Sequence, residues 1–269
     1  MNLRDKRFVI TGASDGIGRE LAIQLAREGA KLVLAARSLE KLNDVCGMCE
    51  EAGSAATPVV TDVSKESDCA NLIANAAAAL GGIDVLVNNA GISYMKRLED
   101  CDDLYPYETV MAVNYLGAVY CTHHALPHLK ASRGLLVAVS SGQGKTGFPG
   151  FSAYSASKFA MHGFFDSLRI ELEDDSVDVQ IVCPGPVQTA IHNKSLGEAR
   201  PRKLGGRASK MNMPVEECAA RMVKAIKRRD REVMLMQGGT IMQWIKLVAP
   251  GVVDRAIAKA LGGYYKDSP

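Results

Sequence analysis

Thr11-Gly12-Ala13-Ser14-Asp15-Gly16-Ile17-Gly18 follows the apolar run Phe8-Val9-Ile10 and opens a helix expected over residues 16–28. The apolar run reads as a strand, and the glycines strip side chains from the turn after it. The helix start offers unpaired N–H groups and the positive end of the helix dipole, so the turn makes a cradle for a pyrophosphate. A plain strand-to-helix connection can be glycine-rich too. What reads as a dinucleotide cradle is the context: a strand before, a helix after and a second strand at 32–35, within about thirty residues.

The alternation continues along the chain. Further strands are expected at 56–60, 85–88, 135–140, 179–183 and 232–235, most of them apolar throughout. Such runs suit strands covered by helices on both faces. Helices are predicted at 16–28, ended by Gly29 as a left-handed residue, and at 65–80, capped by Ser64 and followed by Gly81 and Gly82. Two longer ones are predicted at 104–130, with a break at Pro106 and Pro127 near the end, and at 153–173. No repeat or linker interrupts the pattern. The fold class is therefore α/β: a single Rossmann-type doubly wound parallel sheet of about seven strands, forming one domain over residues 1–269.

Composition agrees, since 47% hydrophobic and 23% charged residues in a chain of 269 support a full-sized core. A net charge of +2 gives no whole-molecule field to recruit nucleic acid. The seven cysteines are odd in number and scattered, and no secretory leader pattern precedes the first strand, so a reducing, cytoplasmic compartment is expected. No apolar run reaches the roughly 20 residues of a spanning helix; the longest, near the C-terminus, is broken by Lys246, Pro250 and Asp254.

Thr followed by Gly-x-x-x-Gly-x-Gly near the N-terminus resembles the short-chain dehydrogenase/reductase family, and that family's other motifs follow in order. They are Asn88-Asn89-Ala90-Gly91 after the fourth strand, Asn114 in the next helix, Ser141, then Tyr154-x-x-x-Lys158, and Pro184-Gly185 leading through Val187 to Thr189. The resemblance implies a nicotinamide-dependent oxidoreductase. It places Gly12, Ser14, Asp15, Gly16, Ile17, Gly18, Asn89, Ala90, Gly91, Pro184, Gly185, Val187 and Thr189 around the dinucleotide, and Asp62 and Val63 at the adenine. It further implies that Lys158 binds the nicotinamide ribose and that Asn114 supports a water through which protons reach solvent.

Reducing a ketone needs a hydride at carbon and a proton at oxygen, and a free Tyr with pKa ~10 is a poor base for the reverse reaction. Lys158 lies four residues beyond Tyr154, on the same helical face, where its charge and that of oxidised nicotinamide would favour the phenolate. Ser141 would hold the substrate oxygen against Tyr154. Tyr and Lys at this spacing also occur as an ordinary surface pair; the upstream motifs favour the catalytic reading. Ser140 competes with Ser141, but the thirteen-residue gap to Tyr154 matches the family at Ser141, and strand alternation turns Ser140 away.

The end of the second strand reads Ala35-Ala36-Arg37-Ser38. NAD-preferring sites place an acid there for the ribose 2′-hydroxyl, whereas Arg37 offers a planar fork for a 2′-phosphate, with Ser14 as a further donor. NADP is accordingly expected over NAD. Two observations stand against this: the basic residue that many NADP-preferring relatives carry before the second glycine is Asp15 here, and Arg37 could be a solvated strand-end residue.

Other signals are read more plainly. Cys46-Gly47-Met48-Cys49 lies in a predicted helix with no second pair, and His123, His124 and His128 lack the acid of a metalloprotease motif, so no metal site is expected. Residues 190–213 are taken as a substrate lid, whose cations Lys194, Arg200, Arg202, Lys203, Arg207 and Lys210 face only Glu198 in charge. They could attract an anionic acyl carrier or belong to a solvated loop. Residues 240–269 read as two amphipathic helices split at Pro250 and Gly251, either packed on the domain or touching a membrane surface. Similar tails occur near the 11β-hydroxysteroid dehydrogenases. Phe148, Pro149, Phe151, Met211 and Met213 could wall a lipophilic pocket, so a bulky lipophilic ketone is the first expectation for substrate. A 3-oxoacyl thioester is the second, a non-catalytic NADP-binding regulator a third, and a homodimer or homotetramer is expected.

Overall fold

The computed structural model describes residues 1–188, 196, 212–236 and 238–265. Its centre is a sheet of seven parallel strands in the order β3-β2-β1-β4-β5-β6-β7. The strands are β1 (Arg7–Thr11), β2 (Lys31–Ala36), β3 (Ala56–Val60), β4 (Val85–Asn88), β5 (Leu135–Val139), β6 (Asp178–Cys183) and β7 (Glu232–Met234). Pro58 lies in β3, the edge strand, where its missing N–H removes no central ladder bond.

Neighbouring strand residues feed opposite cores. Phe8, Ile10, Leu32 and Leu34 pack with helices α1 (Gly16–Arg27), α2 (Leu39–Ala52) and α7 (Val215–Arg228). Val9, Val33 and Leu86 pack on the other face with α3 (Glu66–Leu80), α5 (Gly117–Ser132) and α6 (Ser152–Glu171). Burial on both faces explains why the strands read as continuous apolar runs. The strand order reverses between β1 and β4, and a doubly wound sheet binds ligands in the crevice at the carboxyl ends of such a pair.

Two helix boundaries differ from the reading of the sequence. Ser64 does not cap α3; its N–H and hydroxyl both donate to Asp62 Oδ1, at 3.1 and 2.8 Å. The Asp62 turn thus captures the residue that would have capped the helix, and Lys65 takes the N-cap position without a side-chain bond. The helix expected at 104–130 is α4 (Tyr105–Met111) joined to α5 through a π-turn at Ala112–Leu116. Pro106 starts α4 rather than breaking it, because a proline near a helix N-terminus loses no intrahelical bond. At the C-terminus, α8 (Gly239–Val248) and α9 (Pro250–Tyr265) meet at Ala249, which leaves the helical region just before Pro250.

Candidate active site

The glycine turn and the Asn-Asn-Ala-Gly segment form one unit at the ends of β1 and β4. Thr11 Oγ1 accepts the N–H groups of Asn89 and Ala90, each at 3.0 Å, and donates to the Val87 carbonyl. Asn89 Nδ2 donates to the carbonyls of Thr11 and Gly12 at 2.9 and 3.2 Å. Glycine is required where these layers meet. Gly12 has φ +66°, and a Cβ there would stand 2.7 Å from Ala90 Cα; at Gly18 it would stand 2.4 Å from the Gly12 carbonyl. Asp15 caps α1, its Oδ1 accepting from Gly16 N at 2.7 Å, with half-buried Ile17 next along the helix.

The Ala13 N–H donates to the Ala35 carbonyl at 3.1 Å, tying this turn to the end of β2. Two residues on, Arg37 is exposed and makes no hydrogen bond or ion pair among the described residues. Arg19, in the first turn of α1, buries an Nε that has no hydrogen-bond partner among them. Ser14 lies half-buried between. Asp62 is occupied by Ser64 through Oδ1, while Val63 is buried under Gly117, where a Cβ would come 2.8 Å from the Val63 carbonyl. Unpaired cations, helix-start N–H groups and a turn free of side chains fit a phosphate-bearing dinucleotide.

A second group of residues gathers beyond β5. Ser141 leaves the strand in extended conformation, and its Oγ accepts from Gln143 N at 3.2 Å. The Gly142 N–H donates to the Pro184 carbonyl at 3.0 Å, binding the serine turn to the Pro184-Gly185 loop. Gly185 packs against Met236, to which a Cβ would come within 2.9 Å, and Val187 is buried in a bridge with Met213. Tyr154 and Lys158 project from one face of α6. Tyr154 is half-buried, and Lys158 is 3% exposed with Nζ 5.7 Å from the Tyr154 ring centroid. A Cβ on Gly91 would lie 3.6 Å from that Nζ and 3.4 Å from Asn114 Oδ1, so the Asn-Asn-Ala-Gly segment forms a wall of the same corner.

The π-turn serves Asn114. Its Oδ1 accepts from Ile92 N at 2.8 Å, and its Nδ2 donates to the Ile92 carbonyl and to Ser157 Oγ at 3.0 and 2.9 Å. Asn114 thereby clamps the segment after Gly91 to α6 beside Tyr154 and Lys158. A π-turn in an α-helix is commonly found at a functional site.

Burial pushes the Tyr154 phenol up to about 12, and its hydrogen bond with Ser141 pulls the other way. Lys158 Nζ donates to the Val139 carbonyl at 2.9 Å, and burial lowers its own pKa to about 8. Ser140 turns to the opposite side, with its Oγ and the His162 ring where a Gly144 Cβ would have to go.

Sequence reasoning gave no role to Thr11 beyond the motif, nor to Arg19, Gln143, Ser155 or Ser157. The Thr that opens the motif could have been read as the partner of the Asn-Asn-Ala-Gly amides; the others carry no local signal. Thr189, Met211 and the cations of the proposed lid lie outside the described residues. Cys46 and Cys49 pack in the core beneath α2, where burial raises both thiols, Cys49 to about 12. His123 and His124 pair edge to face, with His124 Nε2 3.7 Å from Glu66.

Residues 6–199 match the short chain dehydrogenase family model. The chain is 36% identical over 250 residues to 11-beta-hydroxysteroid dehydrogenase-like 4A of Arabidopsis thaliana, covering 91% of this chain and 81% of the relative. It is 36% identical over 256 residues to 11-beta-hydroxysteroid dehydrogenase A of Sesamum indicum, covering 93% and 73%. Among solved structures it resembles an alcohol dehydrogenase of the archaeon Thermococcus sibiricus complexed with 5-hydroxy-NADP, with a TM-score of 0.76 and 30% identity over 86% of this chain and 96% of that one. A short chain dehydrogenase/reductase from Burkholderia phymatum in complex with NAD shares the fold, with a TM-score of 0.83 at 24% identity over 94% and 96%. Matched by the family model over most of its length and by relatives across nearly all of it, the chain belongs to the short-chain dehydrogenase family of oxidoreductases.

Proposed function

We propose that this oxidoreductase uses NADP in preference to NAD and acts on a carbonyl or alcohol of lipophilic character. The observation that carries the chemistry is the corner of Ser141, Tyr154 and Lys158 beside Gly91. When bound, the nicotinamide supplies the hydride donor or acceptor. Tyr154 gives a proton to the substrate oxygen or takes one from it, and its high pKa in the free protein suits the donor role. Ser141 donates a hydrogen bond to the same oxygen, and Lys158 holds the ribose and adds positive charge. Asn114 keeps the wall of the site in place, and a water on it would link the corner to solvent. The steroid-dehydrogenase names of the relatives support a lipophilic substrate.

Arg37, unpaired at the end of β2, supports the NADP preference. The purified protein should oxidise NADPH with members of a panel of lipophilic ketones and aldehydes. Arg37→Ala should weaken NADPH binding by about 1.5–3 kcal/mol, as for a lost charged hydrogen bond, and barely change NADH binding. Equal losses for both nucleotides would remove Arg37 from cofactor choice. NADPH binding with no turnover across the panel would point to a regulator that keeps the fold without chemistry.

We also propose assembly as a homodimer or homotetramer and a peripheral contact with anionic membrane surfaces through α8. Ile241, Trp244, Ile245 and Val248 share one exposed face of that helix, with Leu247 and Val252 beside it. Lys246 is turned back onto the Lys145 carbonyl and the Phe159 ring, while Arg255 and Lys259 stand exposed on α9. Trp244, the sole tryptophan of the chain, is 67% exposed and reports on the patch directly. Its emission should shift to the blue with phosphatidylserine vesicles, and Leu247→Asp with Val248→Asp should abolish the shift. No shift with vesicles would refute the contact; a shift that follows protein concentration alone would assign the patch to a second copy of the chain.

A further inference from the structure

We infer that Lys246, on the C-terminal helix α8, is a positioning residue for Ser141: it braces the turn that carries the serine against α6, the helix that carries Tyr154 and Lys158. The inference rests on the proposed function for the role of Ser141. It gives α8 a part in the reaction, although this helix lies beyond residues 6–199, the stretch that matches the family model.

Helix α8 is amphipathic in the reverse sense for a helix packed on a core. Ile241, Trp244, Ile245, Leu247 and Val248 are exposed, whereas Gly239, Met242, Gln243 and Lys246 are the partly or fully covered residues at helical spacing. Those four recur at intervals of three and four and so form the face turned toward the protein. Only Gly239 of this helix is fully buried; a Cβ there would come 2.6 Å from Met234 Cγ. With so little apolar area beneath it, α8 depends on specific contacts for its position.

Lys246 makes two of them. Its Nζ donates to the Lys145 carbonyl at 3.1 Å and lies 5.6 Å from the centroid of the Phe159 ring. Lys145 ends the turn that begins at Ser141, and Phe159 follows Lys158 on α6. Within the turn, Gly144 N donates to the Ser141 carbonyl at 2.9 Å and Lys145 N to the Gly142 carbonyl at 3.2 Å. Whatever holds the Lys145 carbonyl therefore holds Ser141. At the other end, Gly142 N is tied to the Pro184 carbonyl at 3.0 Å. The twenty-residue α6, with Met161, Phe165 and Leu168 buried, is the rigid partner, and the short turn is the part that can give. Each Lys246 contact is modest by itself, because a half-exposed ammonium also bonds water. Their consequence is geometric: a serine hydroxyl displaced by about 0.5 Å from the substrate oxygen stabilises the transition state less well.

Lys246→Met keeps the stem and removes the donor and the charge. With a ketone of the panel it should lower kcat about 10-fold, while NADPH affinity and binding stoichiometry stay within about twofold of wild type. Lys246→Arg keeps both contacts and should recover most of the loss. In a Ser141→Ala background, where no serine hydroxyl remains to be positioned, Lys246→Met should have no further effect. An equal fall in both backgrounds, no recovery with arginine, or an unchanged kcat in Lys246→Met would overturn the inference. Hydrogen exchange of the amides of residues 140–147, followed by mass spectrometry, needs no substrate. The brace predicts exchange about 10-fold faster in Lys246→Met, and unchanged exchange overturns it. If the wild type turns over none of the panel, the reductase reading fails by itself, and the exchange measurement alone then decides whether Lys246 braces the turn.

Discussion

Tyr154→Phe should leave nucleotide affinity within about twofold and lower turnover by about 100- to 10,000-fold, the range expected when a positioned general acid is removed. Phenylalanine keeps the half-buried ring beside Lys158, so the walls of the corner survive. What disappears is the hydroxyl bonded to Ser141, which carries the proton that the proposed mechanism exchanges with the substrate oxygen. With its phenol pushed up to about 12, Tyr154 remains a proton donor through the neutral range in the free protein, which favours carbonyl reduction. Steady-state kinetics combined with calorimetric titration of NADPH separates the two effects. Turnover within a few-fold of wild type would take Tyr154 out of the mechanism.

The parts of this site legible in the sequence are those in which one residue type is forced by local geometry. Glycines at 12 and 18 are demanded by backbone approaches of 2.7 and 2.4 Å, and strands buried on both faces write themselves as unbroken apolar runs. The π-turn at Asn114 was not legible, because one extra residue in a turn barely disturbs the apolar period on either side. Nor was the cap of α3: Ser64 has the right chemistry, but Asp62 two residues earlier offers a carboxylate within 2.8 Å and wins it. The direction of the Lys158 ammonium was hidden for a different reason. Spacing puts it on the Tyr154 face of α6, yet its partner is a carbonyl of β5, nineteen residues away, and burial sets its charge state.

Lys158→Met should abolish activity and yet unfold at higher temperature than wild type at pH 7. The ammonium is buried, and burial brings its pKa from the usual 10.5 down to about 8. Below pH 8 folded and unfolded chains are both protonated, and the buried charge costs the fold about 3 kcal/mol. Between pH 8 and 10.5 the unfolded chain holds the extra proton, so wild-type stability rises with pH across that window. Methionine fills the path of the lysine stem without the charge, but it deprives the Val139 carbonyl of its donor, at about 1–2 kcal/mol. Relief of the buried charge outweighs the lost hydrogen bond at pH 7, for a net gain of about 1–2 kcal/mol and a Tm higher by about 2–6 °C. That gap should close as pH approaches 10, because neutral Lys158 no longer burdens the wild type. Thermal unfolding of both proteins at pH 7 and pH 10 measures it, and a variant less stable at pH 7, or a gap that widens with pH, would show that the ammonium is not the strained group. A buried charge that burdens the fold in this way fits the role proposed for Lys158 at the site.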